Sequence, residues 1–260
     1  MIAMKSRLAA AFFGLGLLAL SGMASSQAHA QAPAVDPAAT QILKRMTGYL
    51  SGLRQFSVHT HNNWEDLLDS GQRVDLLVSA SVVVNRPNRL RAERKGDILS
   101  QALYYDGKTV TLYNPDDNVY ATEPAPPTIE GMLDFARDSL GLIIPAGDLL
   151  YRDAYALLMQ DVTAAVVVGK SVVGGAVCDH LAFSRPGVDF QVCVAASGPP
   201  LPLLYVVTDT GTPALLSVVT VMSDWNTSPN VADDRFAFVP PPGAQPITFM
   251  RLDATGAATR

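Results

Sequence analysis

The chain has 260 residues, of which 48 % are hydrophobic and 17 % are charged, and its formal net charge at pH 7 is −5. An acidic balance of this kind disfavours binding to nucleic-acid phosphates or to anionic lipid headgroups. The length is sufficient for one large β-rich domain with a sizeable core.

Residues 1–30 are predicted to be a secretory signal peptide. Lys5 and Arg7 supply positive charge, an apolar run extends from Leu8 to Leu20, and Ala30 ends a small-residue cleavage site. The run is too short to span a bilayer, although an uncleaved membrane anchor is the alternative. Cleavage removes two basic residues and changes the net charge from −5 to −7. Because no later apolar run approaches the ~18 residues of a membrane helix, we expect an exported, soluble protein without a stable membrane span.

The remaining chain is predicted to form a single domain, residues 36–250, between flexible tails at 31–35 and 251–260. Asp36-Pro37 is typical of a helix N-cap followed by proline in the first turn. Apolar residues at helical spacing then predict an amphipathic helix from about Pro37 to Leu53.

A long alternating segment follows between Gln72 and Asn85. Alternate residues place side chains on the same face of a strand, and here one face is wholly apolar. It carries Val74, Leu76, Val78, Ala80, Val82 and Val84. A strand of this kind is expected in a large sheet that curves over an apolar interior.

The segment from Ile98 to Glu123 predicts three antiparallel strands. Asp106-Gly107 is typical of a two-residue hairpin loop, which would place Tyr105 opposite Lys108 and Leu103 opposite Val110. A second turn is predicted at 114–117, where a proline fixes φ at the first central position.

Two helices are predicted to interrupt the strands. Thr128 is a candidate N-cap for a helix over Ile129–Leu140, and a second helix is expected from about Pro145 through Leu158. Strand patterns then resume, separated by short turns. The predicted fold is mainly β (α+β): a curved antiparallel sheet of about ten strands forming an incomplete β-barrel, covered by the N-terminal helix and by the two-helix insertion.

Cys178 and Cys193 are the only cysteines. The runs Val177–Ser184 and Val188–Ala195 flank a predicted turn, and pairing Ser184 with Gly187 would place the two cysteines directly opposite each other. Export favours a disulfide between them. Two buried free thiols are the alternative, and the absence of a Cys-x-x-Cys spacing disfavours a redox-active pair.

No motif indicates catalysis. His59 and His61 share one strand face and His180 lies far along the chain, so a polar face in water is favoured over a metal site. No Gly-x-Ser-x-Gly elbow occurs. We therefore predict no catalytic residue, no metal and no cofactor, and a protein that is not an enzyme.

The strand–Asp-Gly-Lys–strand–Asn-Pro segment from Tyr105 to Pro115, continuing to Val119-Tyr120, resembles the corresponding segment of periplasmic lipoprotein carriers of the LolA type. More widely, the chain resembles domain-of-unknown-function family 2092, a family of predicted periplasmic proteins. The segments that carry this resemblance are Asn85–Leu90, Tyr105–Lys108, Cys178–Phe183, Pro200–Pro202, Ser223–Asn226, Phe236–Phe238 and Pro241–Ala244. The resemblance implies a location in the periplasm and a LolA/LolB-like fold, an unclosed antiparallel barrel lidded by helices. By analogy it also implies ligand binding.

The function predicted from these observations is binding of lipid or lipoprotein acyl chains in an apolar cavity between sheet and helices, by a carrier or a sensor. The residues expected to line the cavity are Leu76, Val78, Val82, Val84, Met132, Leu133, Phe135, Leu149 and Leu150. The alternative is an interaction module of the cell envelope that has a filled core and captures a partner protein.

Overall fold

A computed structural model of the chain describes residues 34–97, 100–249, 251–252 and 258–259. The predicted signal peptide and most of both predicted tails lie outside the described residues. Val35 forms a parallel bridge with Ala165, so the described end of the N-terminal tail lies along a strand. Among the described residues, no helix combines the length and the apolar character that crossing a bilayer requires.

One curved, open sheet of twelve strands dominates the fold, which is mainly β as predicted. Spatial order along the sheet is β12-β6-β5-β4-β3-β2-β1-β11-β10-β9-β8-β7. Neighbouring strands are antiparallel, except that β12 runs parallel to β6. The strands are β1 (Gln55–Leu67), β2 (Arg73–Asn85), β3 (Arg89–Gly96), β4 (Gln101–Tyr105), β5 (Thr109–Asn114), β6 (Val119–Pro124), β7 (Ala164–Val173), β8 (Ala176–Arg185), β9 (Val188–Ala195), β10 (Pro202–Asp209), β11 (Ser217–Asn226) and β12 (Gln245–Pro246). Two further two-residue strands, β13 (Arg251–Leu252) and β14 (Ala258–Thr259), pair with each other.

In the described part of the chain, three α-helices accompany the sheet: α1 (Pro37–Gly52), α2 (Ile129–Leu140) and α3 (Ala154–Met159). The carboxylate of Asp36 caps α1, and the hydroxyl of Thr128 caps α2 by accepting from the backbone N–H of Gly131 at 3.1 Å. The prediction of one continuous second inserted helix is wrong. A 3₁₀ turn at Gly147–Leu150 precedes α3, and Asp153 starts α3 afresh by accepting from the N–H of Ala156.

The helices divide the inner face of the sheet into two cores. Helix α1 packs on the half formed by β7–β11, where its buried residues belong to one core with Phe183, Phe190 and Tyr205. Helix α2 packs on the half formed by β2–β5, where its buried residues belong to one core with Val84 and Leu90. The C-terminal end of the apolar face of β2 is therefore covered by α2, as predicted, and α1 covers the other half of the sheet.

The first predicted hairpin has a different register from the one expected. Tyr105 pairs with Val110 rather than with Lys108, and Leu103 pairs with Leu112. The loop is therefore Gly107-Lys108, with Gly107 at φ 86° in its first position. The carboxylate of Asp106 causes this shift, because it accepts from the backbone N–H groups of Lys108 and Thr109 at 2.9 and 2.8 Å and so belongs to the turn as its first residue.

The cysteines form the predicted disulfide, although the register from which it was predicted is wrong. Strands β8 and β9 pair Arg185 with Val188, so that Cys178 lies opposite Ala195 and Cys193 lies opposite His180. The cysteines are thus diagonal neighbours on one face of the sheet, with their Cα atoms 5.4 Å apart. Both side chains are fully buried.

The segment after β11 crosses the outer face of the sheet. Phe236 is fully buried there, and the ring of Phe238 lies 5.0–5.5 Å from the rings of Tyr104, Tyr113 and Tyr120. The segment then reaches the edge of the sheet, where β12 pairs with β6. The outer face of β3–β6 is therefore covered by chain rather than by solvent.

Candidate functional site

A cavity of about 300 Å³, here called the first chamber, lies on the inner face of the sheet beside the core under α2. Its floor is formed by β1–β5, and its roof is the loop that joins α2 to the 3₁₀ turn. Its lining residues are Thr60, Asn62, Trp64, Val78, Ala80, Val82, Ala92, Arg94, Gln101, Leu103, Leu112 and the roof residues 141–145. Most of this surface is apolar, as is usual for a pocket that binds a small organic ligand.

A second chamber of about 520 Å³ lies on the other side of the same roof loop. It extends over β10 and β11 to Tyr205, Val207 and Val218, and it shares Trp64 and residues 142–145 with the first chamber. A smaller void of about 50 Å³ lies deeper, next to Leu149 and Leu150. The roof loop carries Ile143, whose side chain is 67 % exposed although it borders both chambers.

The residues predicted to line the cavity occupy different places. Val78 and Val82 lie in the wall of the first chamber, and Leu133 lies in the wall of the second. Leu149 and Leu150 border the deep void. The structure does not bring the others to a cavity wall: Val84 and Met132 are fully buried in the core under α2, Phe135 packs against that core, and Leu76 lies half-buried toward the start of β2. A role in ligand binding stays a prediction for the whole set.

The polar residues of the first chamber were not among the predicted lining residues. Arg94 alternates with Ala92 and Leu90 on the inner face of β3, and this period of two could have revealed it. The residues of the roof loop carried no such signal, because a loop has no period from which its facing side can be inferred.

A buried phenol borders the second chamber. The hydroxyl of Tyr205 donates to the carboxylate of Asp148 at 3.3 Å, and the side chain is 3 % exposed. Burial, with a smaller contribution from Asp148, raises the pKa of Tyr205 well above its ordinary value. Folding therefore holds this phenol in its neutral form.

Replacement of Tyr205 by phenylalanine is expected to change how stability depends on alkaline pH. In the unfolded wild type Tyr205 loses its proton above about pH 10, while the folded protein retains it, so stability falls as the pH rises. The Tyr205→Phe variant lacks this contribution. Urea unfolding at about pH 8 and about pH 11 should show the free-energy advantage of the wild type over Tyr205→Phe shrinking at the higher pH. A free-energy advantage of the wild type that is the same at both pH values would contradict the raised pKa of Tyr205.

The histidines do not converge. On β1, His59 pairs with Asp224 at 3.2 Å and His61 contacts Ser79 at 3.0 Å. His180 contacts Gln191 at 2.9 Å and lies on β8, which is four strands away from β1 along the sheet. Within the part of the chain that the structure describes, no group of three His, Cys, Asp or Glu side chains could hold a metal ion.

Several solved structures are similar to this chain at low sequence identity. They include an uncharacterized conserved protein from Thermus thermophilus (12 % identity, 81 % of this chain and 99 % of that chain, TM-score 0.47) and LprF from Mycobacterium bovis (16 %, 82 % and 100 %, TM-score 0.49). They also include the LolA superfamily protein NE2245 from Nitrosomonas europaea (12 %, 77 % and 97 %, TM-score 0.42). Similarity at this level says nothing about what this chain binds.

The search of curated proteins finds no match. In contrast, one family model, described as a predicted periplasmic protein (DUF2092), matches residues 39–250. This range includes the whole sheet from β1 to β12, nearly all of the three helices and both chambers. The resemblance stated from the sequence segments is thereby confirmed, together with the periplasmic location: the chain belongs to the DUF2092 family of predicted periplasmic proteins.

Proposed function

We propose that the protein is a periplasmic carrier or sensor that binds the acyl chains of a lipid or lipoprotein in the two chambers. The observation that supports this proposal is the unfilled, mainly apolar space of about 300 and 520 Å³ between the sheet and the roof loop. Pockets that bind small organic molecules have volumes of roughly 300–1,000 Å³. A packed core of the same composition would leave no such space.

The burial of β2 supports the same reading. Val84 is fully buried, whereas Val74, Leu76, Val78, Ala80 and Val82 on the same face are only half-buried. These side chains form an apolar trough that α2 does not reach. Covering it with an acyl chain would contribute about 0.8 kcal/mol for each methylene group removed from water.

Binding of the neutral dye Nile red and its displacement by saturated fatty acids test this proposal. Delipidated protein should bind the dye saturably, and fatty acids should displace it with an affinity that rises about fourfold per added methylene until the chambers are filled. Ala80→Trp should weaken binding at least tenfold, because an indole at Ala80 would occupy the first chamber.

Leu77→Trp is the matched control. Leu77 is the third residue before Ala80 on the same strand, faces outward and is 59 % exposed, so an indole there leaves the chambers unchanged. Circular dichroism verifies that both variants fold. If the wild type does not bind the dye, or if the two variants lose binding equally, the proposal is wrong.

A partner protein is the second candidate, favoured by one observation. Strand β7 ends the sheet, and in the described chain its outer edge pairs only through the bridge to Val35. Val166, Val168, Val172 and Val177 on the β7–β8 hairpin are 45–68 % exposed. An edge of this kind can accept an added strand from another protein. A stoichiometric protein and no lipid in native mass spectra of periplasmic material would favour this candidate.

A further inference from the structure

One basic side chain faces the first chamber. Arg94 lies on β3, beside Ala80 of β2 and opposite Gln101 of β4, and all three residues line this chamber. Its guanidinium group donates from Nη2 to Oε1 of Gln101. Arg91 and Lys95 belong to the opposite face of the same strand, so Arg94 places a positive charge on the apolar side of the sheet.

Among the described residues, this charge has no acidic partner. No Asp or Glu lines the first chamber, and among the ion pairs of the described residues none involves Arg94. Burial lowers the pKa of Arg94 from its ordinary value because desolvation disfavours the charged form, yet a guanidinium stays protonated at physiological pH. A cation is therefore held partly out of water with only a neutral amide against it.

Among the other polar side chains that line the chamber, Asn62 is already engaged and Trp64 is not. The carbonyl oxygen of Asn62 accepts from Thr220 at 2.8 Å, and its NH₂ group donates to Thr60 at 3.0 Å and to the backbone oxygen of Val78 at 3.4 Å. The indole Nε1–H of Trp64 is buried without a hydrogen-bond partner. The polar part of a ligand must then supply acceptors, since unpaired buried donors are costly.

Burial along the strands orients such a ligand. On β3, Leu90 is fully buried while Ala92 and Arg94 are half-buried, and on β4 burial falls in the same direction from Tyr105 to Gln101. Arg94 and Gln101 therefore lie where the closed apolar core gives way to the open trough. An apolar chain would lie on the side of Ala92, with its polar end at Arg94.

We infer that the ligand is an amphiphile with an acidic headgroup, a carboxylate or a phosphate, which Arg94 binds while the acyl chain occupies the first chamber. This inference rests on the proposed function and adds to it the chemical class of the headgroup. Bidentate hydrogen bonding between a guanidinium and either oxyanion supplies both affinity and orientation.

Displacement of Nile red by three amphiphiles with the same hexadecyl-length chain tests the inference. Palmitate carries a carboxylate, hexadecyl phosphate carries a phosphate, and 1-hexadecanol is neutral. We expect the wild type to bind at least one of the two acids about 10- to 100-fold more tightly than the alcohol, as a charge-assisted hydrogen bond provides. The tighter of the two acids then identifies the headgroup.

Arg94→Gln should reduce this preference to less than about threefold, because it removes the charge that the acidic headgroup contacts and the alcohol does not need. Lys95→Gln is the matched control, because it removes the same charge from the neighbouring position on the outer face. A wild type that does not distinguish the acids from the alcohol overturns the inference, and so does an Arg94→Gln variant that keeps the preference. Failure of all three compounds and of Nile red to bind overturns the proposed function as well, so the two failures are distinguishable.

Discussion

Replacement of Phe190 by alanine is expected to lower the free energy of unfolding by about 3–5 kcal/mol, the usual cost of deleting a large aromatic side chain from a core. Phe190 is 1 % exposed. Its ring stacks on Phe183 with centroids 4.7 Å apart and planes 7° apart, and it meets the tilted ring of Tyr205 at 6.2 Å. Removal of this ring leaves a cavity at the centre of the core under α1, where rigid strands prevent collapse.

Urea unfolding followed by tryptophan fluorescence measures this effect. Val172→Ala is the matched control, since Val172 is 68 % exposed on the nearby strand β7 and its truncation should change stability by less than about 0.5 kcal/mol. If Phe190→Ala costs no more than the control, the packing described for this half of the sheet is incorrect.

Removal of the disulfide is expected to cost about 3 kcal/mol, because a crosslink across about fifteen residues restricts the unfolded chain by that amount. Cys178 and Cys193 are separated by 15 residues in the sequence. The double variant Cys178→Ala/Cys193→Ala avoids free thiols and places a small apolar side chain at both buried positions. Its urea midpoint should fall well below that of the wild type.

A reducing agent provides the check without substitution. Reduction should move the unfolding midpoint of the wild type toward that of the double variant, and it should leave the double variant unchanged. A wild type that is insensitive to full reduction would show that the bond does not stabilise the fold.

Elements with a clear period could be predicted from the sequence. The alternation from Val74 to Val84 identified β2 and its apolar face, and Thr128 identified the start of α2. Each of these features depends on local backbone preference and on side-chain direction, both of which a single segment carries. The overall sheet then followed from the number and spacing of such segments.

Hairpin registers were harder to predict from the sequence, because a shift of the turn by one residue changes every residue pair between the two strands. The expected turn after β8 placed Arg185-Pro186 in the loop, whereas the loop is Pro186-Gly187 with Gly187 at φ 80°. A type II turn requires this order, with proline first and a positive φ second. The information was present in the sequence, but it lay in turn chemistry rather than in strand pattern.

The two chambers could be predicted only in part. Val78 and Val82 were selected from their periodicity, but the roof at 141–145 and the opposite wall at Tyr205 come from distant parts of the chain. Which apolar residues face a space and which face one another depends on how α1 and α2 divide the sheet. No single segment contains that division.

The crossing of the outer face by the C-terminal segment has a consequence for self-association. Beyond β6 the sheet ends in β12, a strand of two residues of which one, Pro246, has no amide hydrogen to donate. In the sheet as described, growth by strand addition is thus blocked at this terminus and remains open only at β7. Two copies could join β7 to β7, but the resulting pair would present a blocked terminus at each end, so the sheet has a built-in stop against fibre formation.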